Sequence, residues 1–256
     1  MLDQSKHPVV SREQWLIARK AHLAREKELT RLRDRVSAER RALPWVKVDK
    51  TYVFDGPDGK ETLPQLFGRN SQLIVYHFMW RWDLDQGCDG CSFLSDHIDG
   101  ANLHLAHHDV SLVVVSRAPL AKLEAYKKRM DWRFKWVSSY GSDFNYDYHV
   151  SFTPDDLAKG KVYYNYDMTE ASIEELPGVS VFFKDAAGDV FHTYSSYARG
   201  GDLLIGAYNY LDLTPKGRNE RAIMDWMRRH DEYEDVTSQS CCGSDHGRDA
   251  KRNAAA

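Results

Sequence analysis

The fold is decided by an apolar run, QLIVYHFM at Gln72–Met79, and by the motif GCDGC at Gly87–Cys91 that follows it. β-Branched and aromatic residues fill the run, which is typical of a strand buried at the centre of a parallel sheet. The next segment, Ser92–His108, carries spaced apolar residues and predicts a helix. The two cysteines of the motif are therefore expected between a buried strand and a helix.

Downstream of the motif, strand and helix patterns alternate and then give way to a hairpin pattern. The segment Val110–Ser116 (VSLVVVS) predicts a second buried strand. Two alternating segments, Val179–Lys184 and Val190–Tyr194, flank the turn sequence DAAGD and predict an antiparallel hairpin. The other elements expected here are a helix at Ala118–Met130, a short strand at Trp136–Ser138, and closing helices at Gly200–Leu211 and Arg218–His230.

Upstream of the first strand, the chain predicts a long helix. Ser11 and Gln14 have the spacing of a capping box, in which each side chain satisfies a free backbone N–H at the helix start. No Gly or Pro interrupts Trp15–Leu43, and Pro44 ends the helix. A sparse set of apolar residues predicts that the helix packs along one narrow face. These residues are Leu16, Leu23, Leu29, Leu32 and Val36.

These patterns predict an α/β fold in which a central mixed sheet, antiparallel at one edge, is flanked by helices. A CxxC motif after a buried strand in such a pattern is typical of thioredoxin-like redox proteins. The expected architecture is therefore thioredoxin-like, with a long N-terminal helix and extra C-terminal helices. We expect an N-terminal helical arm at residues 1–45, a thioredoxin-like domain at 46–230 and a disordered tail at 231–256.

Composition and charge exclude several classes of partner. The 256 residues carry a formal net charge of −3 with acids and bases interspersed, so no basic footprint for nucleic acid is present. The first residues carry no secretory signal, and no apolar run is long enough to cross a bilayer. Four cysteines in a chain of this length do not form a disulfide framework. The expected setting is the reducing cytoplasm, without a nucleic-acid or membrane partner.

The close pair Cys88 and Cys91 is the strongest candidate for chemistry. A cysteine at the start of a helix has a lowered thiol pKa, because free backbone N–H groups favour the thiolate. Two intervening residues let the second sulfur attack a mixed disulfide formed on the first. Cys88 is therefore the predicted nucleophile and Cys91 the predicted resolving thiol of a thiol–disulfide oxidoreductase. Its expected substrate is a thiol or disulfide, on a protein or a small molecule.

Other interpretations of the same pair stay open. The CxxC spacing is also a common half-site for zinc, although no second half-site at structural-zinc spacing follows it. The chain also fits a peroxiredoxin-like peroxidase, or a non-catalytic binding module that uses the long helix for partners. No cofactor and no metal ligand set are predicted, and a homodimer is left open. The tail pair Cys241 and Cys242 is interpreted as part of an exposed terminus without function, rather than an electron shuttle or soft-metal site.

Longer motifs along the chain resemble a bacterial family catalogued as domain of unknown function 899. They include RRALPWV at Arg40–Val46, GCDGCSF at Gly87–Phe93, WVSSYGSDFNYDY at Trp136–Tyr148 and FHTYSSYARGGDLL at Phe191–Leu204. The resemblance covers about residues 7–234, and it implies a thioredoxin-like fold and a thiol chemistry. It implies no particular substrate.

Comparison with the wider thioredoxin superfamily supports one part of this expectation and weakens another. The first cysteine lies several residues past the strand, which resembles peroxiredoxins more than thioredoxins. Peroxiredoxins, however, carry a Thr three residues before that cysteine and an Arg before a late strand, where this chain has Asp85, Gly178 and Val179. Thioredoxins carry a cis-proline immediately before the late strand, and Pro177 lies close to that place.

Four residues besides the cysteines are candidates for substrate binding. Arg117 follows a buried strand, where open α/β sheets bind ligands, and fits either an anionic substrate, the Cys88 thiolate or an ion pair with a nearby carboxylate. Trp82, together with Trp80, precedes the thiol loop and fits either a hydrophobic docking surface or a cover for the sheet edge. Tyr146 lies in a polar, aromatic segment that fits either a wall of a substrate pocket or a loop whose tyrosines pack while their hydroxyls bond at the surface. Pro177 is the fourth candidate, through the resemblance to thioredoxins.

Overall fold

The computed structural model describes residues 7–233 and contains a central eight-stranded mixed sheet. In chain order the strands are β1 (Val46–Lys47), β2 (Val53–Gly56), β3 (Gly59–Thr62), β4 (Gln72–His77), β5 (Val110–Ser116), β6 (Lys135–Ser138), β7 (Lys161–Tyr164), β8 (Asp167–Glu170), β9 (Gly178–Lys184) and β10 (Val190–Tyr197). The order across the sheet is β1–β10–β9–β4–β5–β6–β2–β3, and β7 and β8 form a separate hairpin.

Parallel pairing is confined to the middle of the sheet. Strand β5 runs parallel to both β4 and β6, whereas β9 pairs antiparallel with β4 and β10 pairs antiparallel with β9. A parallel strand–helix–strand unit is thus followed by an antiparallel hairpin on the other side of β4. This is the thioredoxin-like arrangement, so the predicted α/β fold with a central mixed sheet is confirmed.

Helices lie along the sheet and at its ends. Their bounds are α1 (Arg12–Arg41), α2 (Leu63–Leu66), α3 (Asp89–Ser95), α4 (Ile98–Ala106), α5 (Leu120–Arg129), α6 (Phe144–Asp147), α7 (Pro154–Ala158) and α8 (Gly206–Leu211). The short elements α6, α7 and the β7–β8 hairpin were not predicted. Capping boxes at Thr62 and Thr153 begin α2 and α7.

The alternation of side chains along β4 gives the sheet two cores. Leu73 and Val75 point into one cluster, where they pack with Phe144 and Phe182. Tyr76 lies in the other cluster, which also contains buried Trp and Phe side chains from the loop after β4, from β6 and from the helices. Cys91 belongs to this second cluster. The thiol motif is therefore anchored in the core on one face of the sheet.

The helix predicted at Ser92–His108 is wrong in its extent, because the chain forms α3 and then a separate α4. The break lies at Asp96–His97. The ring of His97 donates from Nδ1 to the carbonyl of Phe93 at 2.8 Å and accepts the backbone N–H of Ala207 at Nε2, at 3.0 Å. This histidine thus ties the break to a segment 110 residues away, which no local pattern reveals.

The long N-terminal helix is confirmed, but its predicted packing is wrong. Ser11 and Gln14 form the predicted capping box, with reciprocal hydrogen bonds of 3.1 and 3.3 Å. No side chain of α1 is buried against residues 7–233, and Leu29 is 66 % exposed. At about 100° per residue, Leu16 and Leu23 lie on one face, while the later apolar residues, which include Leu29, lie on the opposite face. The apolar residues therefore form no single stripe.

The C-terminal part is less helical than predicted. After β10 the chain forms a 3₁₀ helix at Ala198–Leu204 and then α8, so the first predicted helix is divided in two. The helix predicted at Arg218–His230 is wrong, because Asn219 and Met224 have φ values of 51° and 63° that a right-handed helix excludes. Residues 230–232 form a 3₁₀ turn at the start of the predicted tail. Cys241 and Cys242 lie outside the described residues.

Candidate active site

The first cysteine of the motif lies at the end of the loop after β4 and at the start of α3. The backbone N–H of Cys88 donates to the carbonyl of Met79 at 3.3 Å, which ties the end of the loop to its beginning. A Cβ atom at Gly87 would lie 2.7 Å from the ring of Phe78, so only glycine permits this close approach. Trp80 is buried in the core next to the loop and is not part of a docking surface.

Cys88 is half-buried and is the N-cap residue of α3. Its Sγ atom accepts the backbone N–H of Cys91 at 3.5 Å. Hydrogen bonds from the Cys91 side chain and from the backbone N–H groups of Cys91 and Gly90 lower the pKa of Cys88 to about 7, although burial and the charge of Asp89 oppose them. The Cys88 thiolate is therefore well populated at neutral pH.

Cys91 has the opposite character. Its side chain is 2 % exposed, and its Sγ atom accepts the backbone N–H of Met79 at 3.4 Å. Burial and the neighbouring Cys88 raise the pKa of Cys91 well above its ordinary value. Tyr76 is hydrogen-bonded to Cys91 and is itself buried, which raises the pKa of its phenol. Both thiols are free, and the pair is divided into an ionisable Cys88 and a protonated Cys91.

A cavity of about 190 Å³ lies beside both cysteines. Pro177 immediately precedes β9 and lines this cavity, so the structure places it close to Cys88 and Cys91. Its peptide bond is trans, since the described residues contain no cis peptide bond. The remaining walls are largely apolar. They include Tyr76, Leu94, Val179, Ile205 and Met224.

The other three candidate residues form a cluster of their own. The guanidinium of Arg117 is sandwiched between the rings of Trp82 and Tyr146, each with its centroid 4.5 Å from Cζ. Arg117 donates to the Tyr146 hydroxyl, and its Nη1 atom lies 3.6 Å from Oε1 of Glu175. Arg117 is 5 % exposed and Glu175 is buried beside it. Of the roles open to Arg117, the structure therefore contains the ion pair with a carboxylate.

Glu175 connects this cluster with the thiols. It lines a second cavity of about 500 Å³ together with Cys88, Arg81 and Glu174. Burial raises the pKa of Glu175 to about 7, although the charges of Arg117 and Arg81 oppose that shift. Cys88 thus borders a small, mainly apolar cavity and a larger cavity that charged side chains also line.

Sequence reasoning missed four residues of this region. Tyr76 lies in the central strand, where its pattern indicated only core packing. Glu175 precedes β9 in a loop that carries no motif. Met224 and Arg229 reach the thiol loop from the C-terminal segment, 136 and 141 residues after Cys88. No local signal identifies a contact over such a separation.

The part of the chain that the structure describes lacks both a metal-binding cluster and a membrane-spanning helix. Within residues 7–233, no three His, Cys, Asp or Glu side chains are grouped so that they can hold a metal ion. In the same residues, no helix has both the length and the apolar character needed to span a membrane.

The chain is similar to several solved protein structures. Peroxidoxin BcpB from Mycobacterium tuberculosis is 11 % identical and gives a TM-score of 0.41, with 66 % of this chain and 97 % of that chain covered. The bacterioferritin comigratory protein of Xanthomonas campestris is 11 % identical at a TM-score of 0.40, with coverages of 63 % and 94 %. A 2-Cys peroxiredoxin from Plasmodium vivax is 17 % identical at 0.39, with coverages of 66 % and 94 %. Such low identities and TM-scores establish no shared activity.

The sequence comparison gives a family for nearly the whole chain. No curated protein matches it. The profile of a family described as bacterial protein of unknown function, DUF899, matches residues 4–233, which include both thiols, the Arg117 cluster and the C-terminal segment that reaches the thiol loop. The chain belongs to the DUF899 family.

Proposed function

We propose that the protein is a thiol–disulfide oxidoreductase with Cys88 as nucleophile and Cys91 as resolving thiol. The Cys88 thiolate attacks one sulfur of a substrate R–S–S–R′, forms a mixed disulfide with RS and releases R′S⁻. Cys91 then attacks the Cys88 sulfur, which forms the Cys88–Cys91 disulfide and releases RS⁻. The proton of Cys91 passes to a departing thiolate. The substrate gains two electrons and the protein dithiol loses them.

The observation that carries this proposal is the difference between the two sulfurs of one motif. Hydrogen bonds at the start of α3 lower the pKa of Cys88, whereas burial raises that of Cys91. A nucleophilic thiol is most effective when its pKa is close to the ambient pH. Cys91 is protonated until it is needed, and it borders the same cavity as Cys88. A structural pair without redox chemistry would not require two thiols of such different acidity.

The remaining candidate residues take supporting roles in this proposal. Pro177 borders the cavity in which the attacked sulfur is placed. Arg117, held between Trp82 and Tyr146, fixes Glu175 at the edge of the second cavity. The proposed setting is the cytoplasm, where thiols are kept reduced. A cytoplasmic thiol or dithiol returns two electrons to the Cys88–Cys91 disulfide by the reverse exchange.

A single-turnover reaction with dithiodipyridine tests the proposal, because each exchange step releases one coloured thiopyridone. In a protein with serine at Cys241 and Cys242, the reduced parent is expected to release two equivalents rapidly. Cys91→Ser is expected to release one equivalent and to retain the mixed disulfide. Cys88→Ser is expected to lose the rapid phase. Rapid release of thiopyridone by Cys88→Ser at the parent's rate would overturn the proposal.

A further inference from the structure

The segment Arg218–Tyr233, called here the C-terminal cover, lies against the thiol motif. Met224 lines the cavity that contains both cysteines. A methyl group added at Gly90, between the two cysteines, would lie 3.0 Å from Sδ of Met224 and 3.2 Å from Cε of Met227. The two methionines therefore pack directly on the backbone between the cysteines.

One guanidinium holds the cover on both sides of Cys88. Arg229 donates from Nη2 to the carbonyl of Gly87 at 2.7 Å and lies 2.5 Å from Oδ1 of Asp89. Its Nε atom donates to the hydroxyl of Tyr126 at 2.8 Å, and that hydroxyl is hydrogen-bonded to Oγ of Ser92 in α3. Arg229 thus contacts the residue before the nucleophile, the residue after it and a tyrosine on α5.

A histidine–carboxylate hydrogen bond and two ion pairs fix the end of the cover. His230 lies 2.6 Å from Oδ1 of Asp96, at the end of α3. Arg129 on α5 lies 2.6 Å from Asp231 and 3.1 Å from Glu232. These contacts join the end of the cover to α3 and α5, whereas Arg229 joins the cover to the residues on both sides of Cys88.

On the side of the cover both thiols are reached through a small cavity, whereas Cys88 alone also borders the larger cavity. Cys91 is buried and Cys88 half-buried, and both sulfurs are approached together through a cavity of about 190 Å³ with mainly apolar walls. A disulfide in a folded protein brings main chain on both sides of each sulfur, and a cavity of this size does not contain it. A small molecule enters without displacing the cover.

We propose that the C-terminal cover restricts the Cys88 site to low-molecular-weight disulfides with an apolar half, and that Arg229 is the positioning residue that holds the cover. This inference rests on the proposed function, since it concerns the substrate of the same thiols. The apolar half is the RS group that becomes bonded to Cys88 in the small cavity. The departing R′S⁻ leaves towards the larger cavity that Cys88 also borders, where Arg81 contributes a positive charge.

Arg229 also acts on Cys88 through charge. The negative charge of Asp89 opposes ionisation of Cys88, and Arg229 neutralises that carboxylate through their ion pair. Removal of the guanidinium leaves Asp89 unpaired and raises the pKa of Cys88. A change of Asp89 to Asn in the same protein removes the charge and reverses this effect, but it does not restore the cover. Pairing these two variants separates the electrostatic role from the steric one.

The test compares insulin with dithiodipyridine in single turnover, in protein with serine at Cys241 and Cys242 and at a pH where Cys88 is fully ionised. Loss of charged hydrogen bonds in Arg229→Ala is expected to raise the ratio of the insulin rate to the dithiodipyridine rate about tenfold. The matched control is Arg228→Ala, because within residues 7–233 the Arg228 guanidinium bonds only to the neighbouring Met227 carbonyl. That control is expected to keep the parent's low insulin rate.

The pH profile of Cys88 alkylation provides the second readout. The pKa of Cys88 is expected to rise in Arg229→Ala and to return in Asp89→Asn/Arg229→Ala, while the insulin rate of the double variant stays high. An unchanged pKa in Arg229→Ala would contradict the neutralising role. An insulin rate that does not respond to Arg229→Ala would overturn the proposal that the cover excludes protein disulfides.

A second variant keeps the inference testable if Arg229→Ala does not fold. Met224→Ala widens the small cavity and is expected to raise the rate with dinaphthyl disulfide relative to dithiodipyridine; an unchanged ratio would overturn the cover. Failure of the cover and of the proposed function are distinguishable. If dithiodipyridine reacts equally well with Cys88→Ser, the proposed function fails. If that reaction requires Cys88 but substrate size has no effect, the proposed function stands and only the inference about the cover fails.

Discussion

The backbone N–H of Cys91 lies 3.5 Å from the Sγ atom of Cys88 and donates to it, so the resolving residue itself stabilises the nucleophile's charge. Its side chain contributes the largest share of this stabilisation. The two cysteines are therefore not equivalent partners of a disulfide. Removal of Cys91 is expected to alter the acidity of Cys88 as well as the second step of the reaction.

The pH dependence of Cys88 alkylation is the first prediction. In the reduced protein, the rate with iodoacetamide is expected to rise with pH and to reach half its maximum near pH 7, since the thiolate reacts and the pKa of Cys88 is about 7. Cys91→Ala removes the side-chain donor and is expected to shift this midpoint upwards. Cys91→Ser keeps a donor and is expected to shift it less. Peptide mapping by mass spectrometry follows Cys88 alone, and identical midpoints in all three proteins would contradict the assignment.

Glu175 gives a prediction about stability and pH. Its pKa in the fold is raised from 4.5 to about 7, so between these values the folded protein binds more protons than the unfolded chain. The contribution of Glu175 to the free energy of unfolding is therefore greatest below pH 4.5 and falls as the pH rises to about 7. Each pKa unit of such a difference corresponds to about 1.4 kcal/mol.

Urea unfolding of the parent and of Glu175→Gln over this pH range measures that contribution. The difference in unfolding free energy between the two proteins is expected to change steadily between pH 4.5 and 7 and to level off outside this interval. A difference that is constant with pH would show that Glu175 ionises in the fold as it does in the unfolded chain.

The central strand gives a prediction about packing. Leu73 on β4 is fully buried in the cluster that includes Phe144 and Phe182. Leu73→Ala is expected to lower the free energy of unfolding by about 2–5 kcal/mol, because the cavity adds to the lost transfer energy. Leu213→Ala is the control, since Leu213 is 83 % exposed, and its effect is expected to stay within about 0.5 kcal/mol. Equal effects of both variants in chemical denaturation would argue against a core centred on β4.

The capping box of α1 gives a prediction about local order. Ser11→Ala removes a cap worth about 1 kcal/mol to a helix. Since no side chain of α1 is buried within the described residues, this loss is expected to raise hydrogen exchange in the first turns of α1 and to leave the global unfolding midpoint unchanged. A drop in that midpoint would mean that α1 is coupled to the sheet.

The elements that sequence predicted correctly are those with a strong local signal. The apolar run of β4, the Ser11–Gln14 capping box and the hairpin of β9 and β10 all follow from neighbouring residues. The CxxC motif at the start of α3 follows from the strand before it and the helical pattern after it.

The elements that sequence missed depend on contacts between distant parts of the chain. The break after α3 depends on His97 and Ala207, and the thiol loop depends on Arg229 and Gly87, 142 residues apart. The predicted packing of α1 failed for a geometric reason, because spacing that looks regular in sequence places Leu23 and Leu32 on opposite faces of the helix. Helical periodicity thus predicts the helix but not its partner.

The most direct test of the account is to locate the mixed disulfide in Cys91→Ser. The reduced variant, with serine also at Cys241 and Cys242, is mixed with one equivalent of dithiodipyridine, and the adduct is mapped by mass spectrometry. Every protein molecule is expected to carry one thiopyridyl group, on Cys88. A protein that remains unmodified while dithiodipyridine modifies a denatured control would contradict it, because Cys88 would then be neither activated nor accessible.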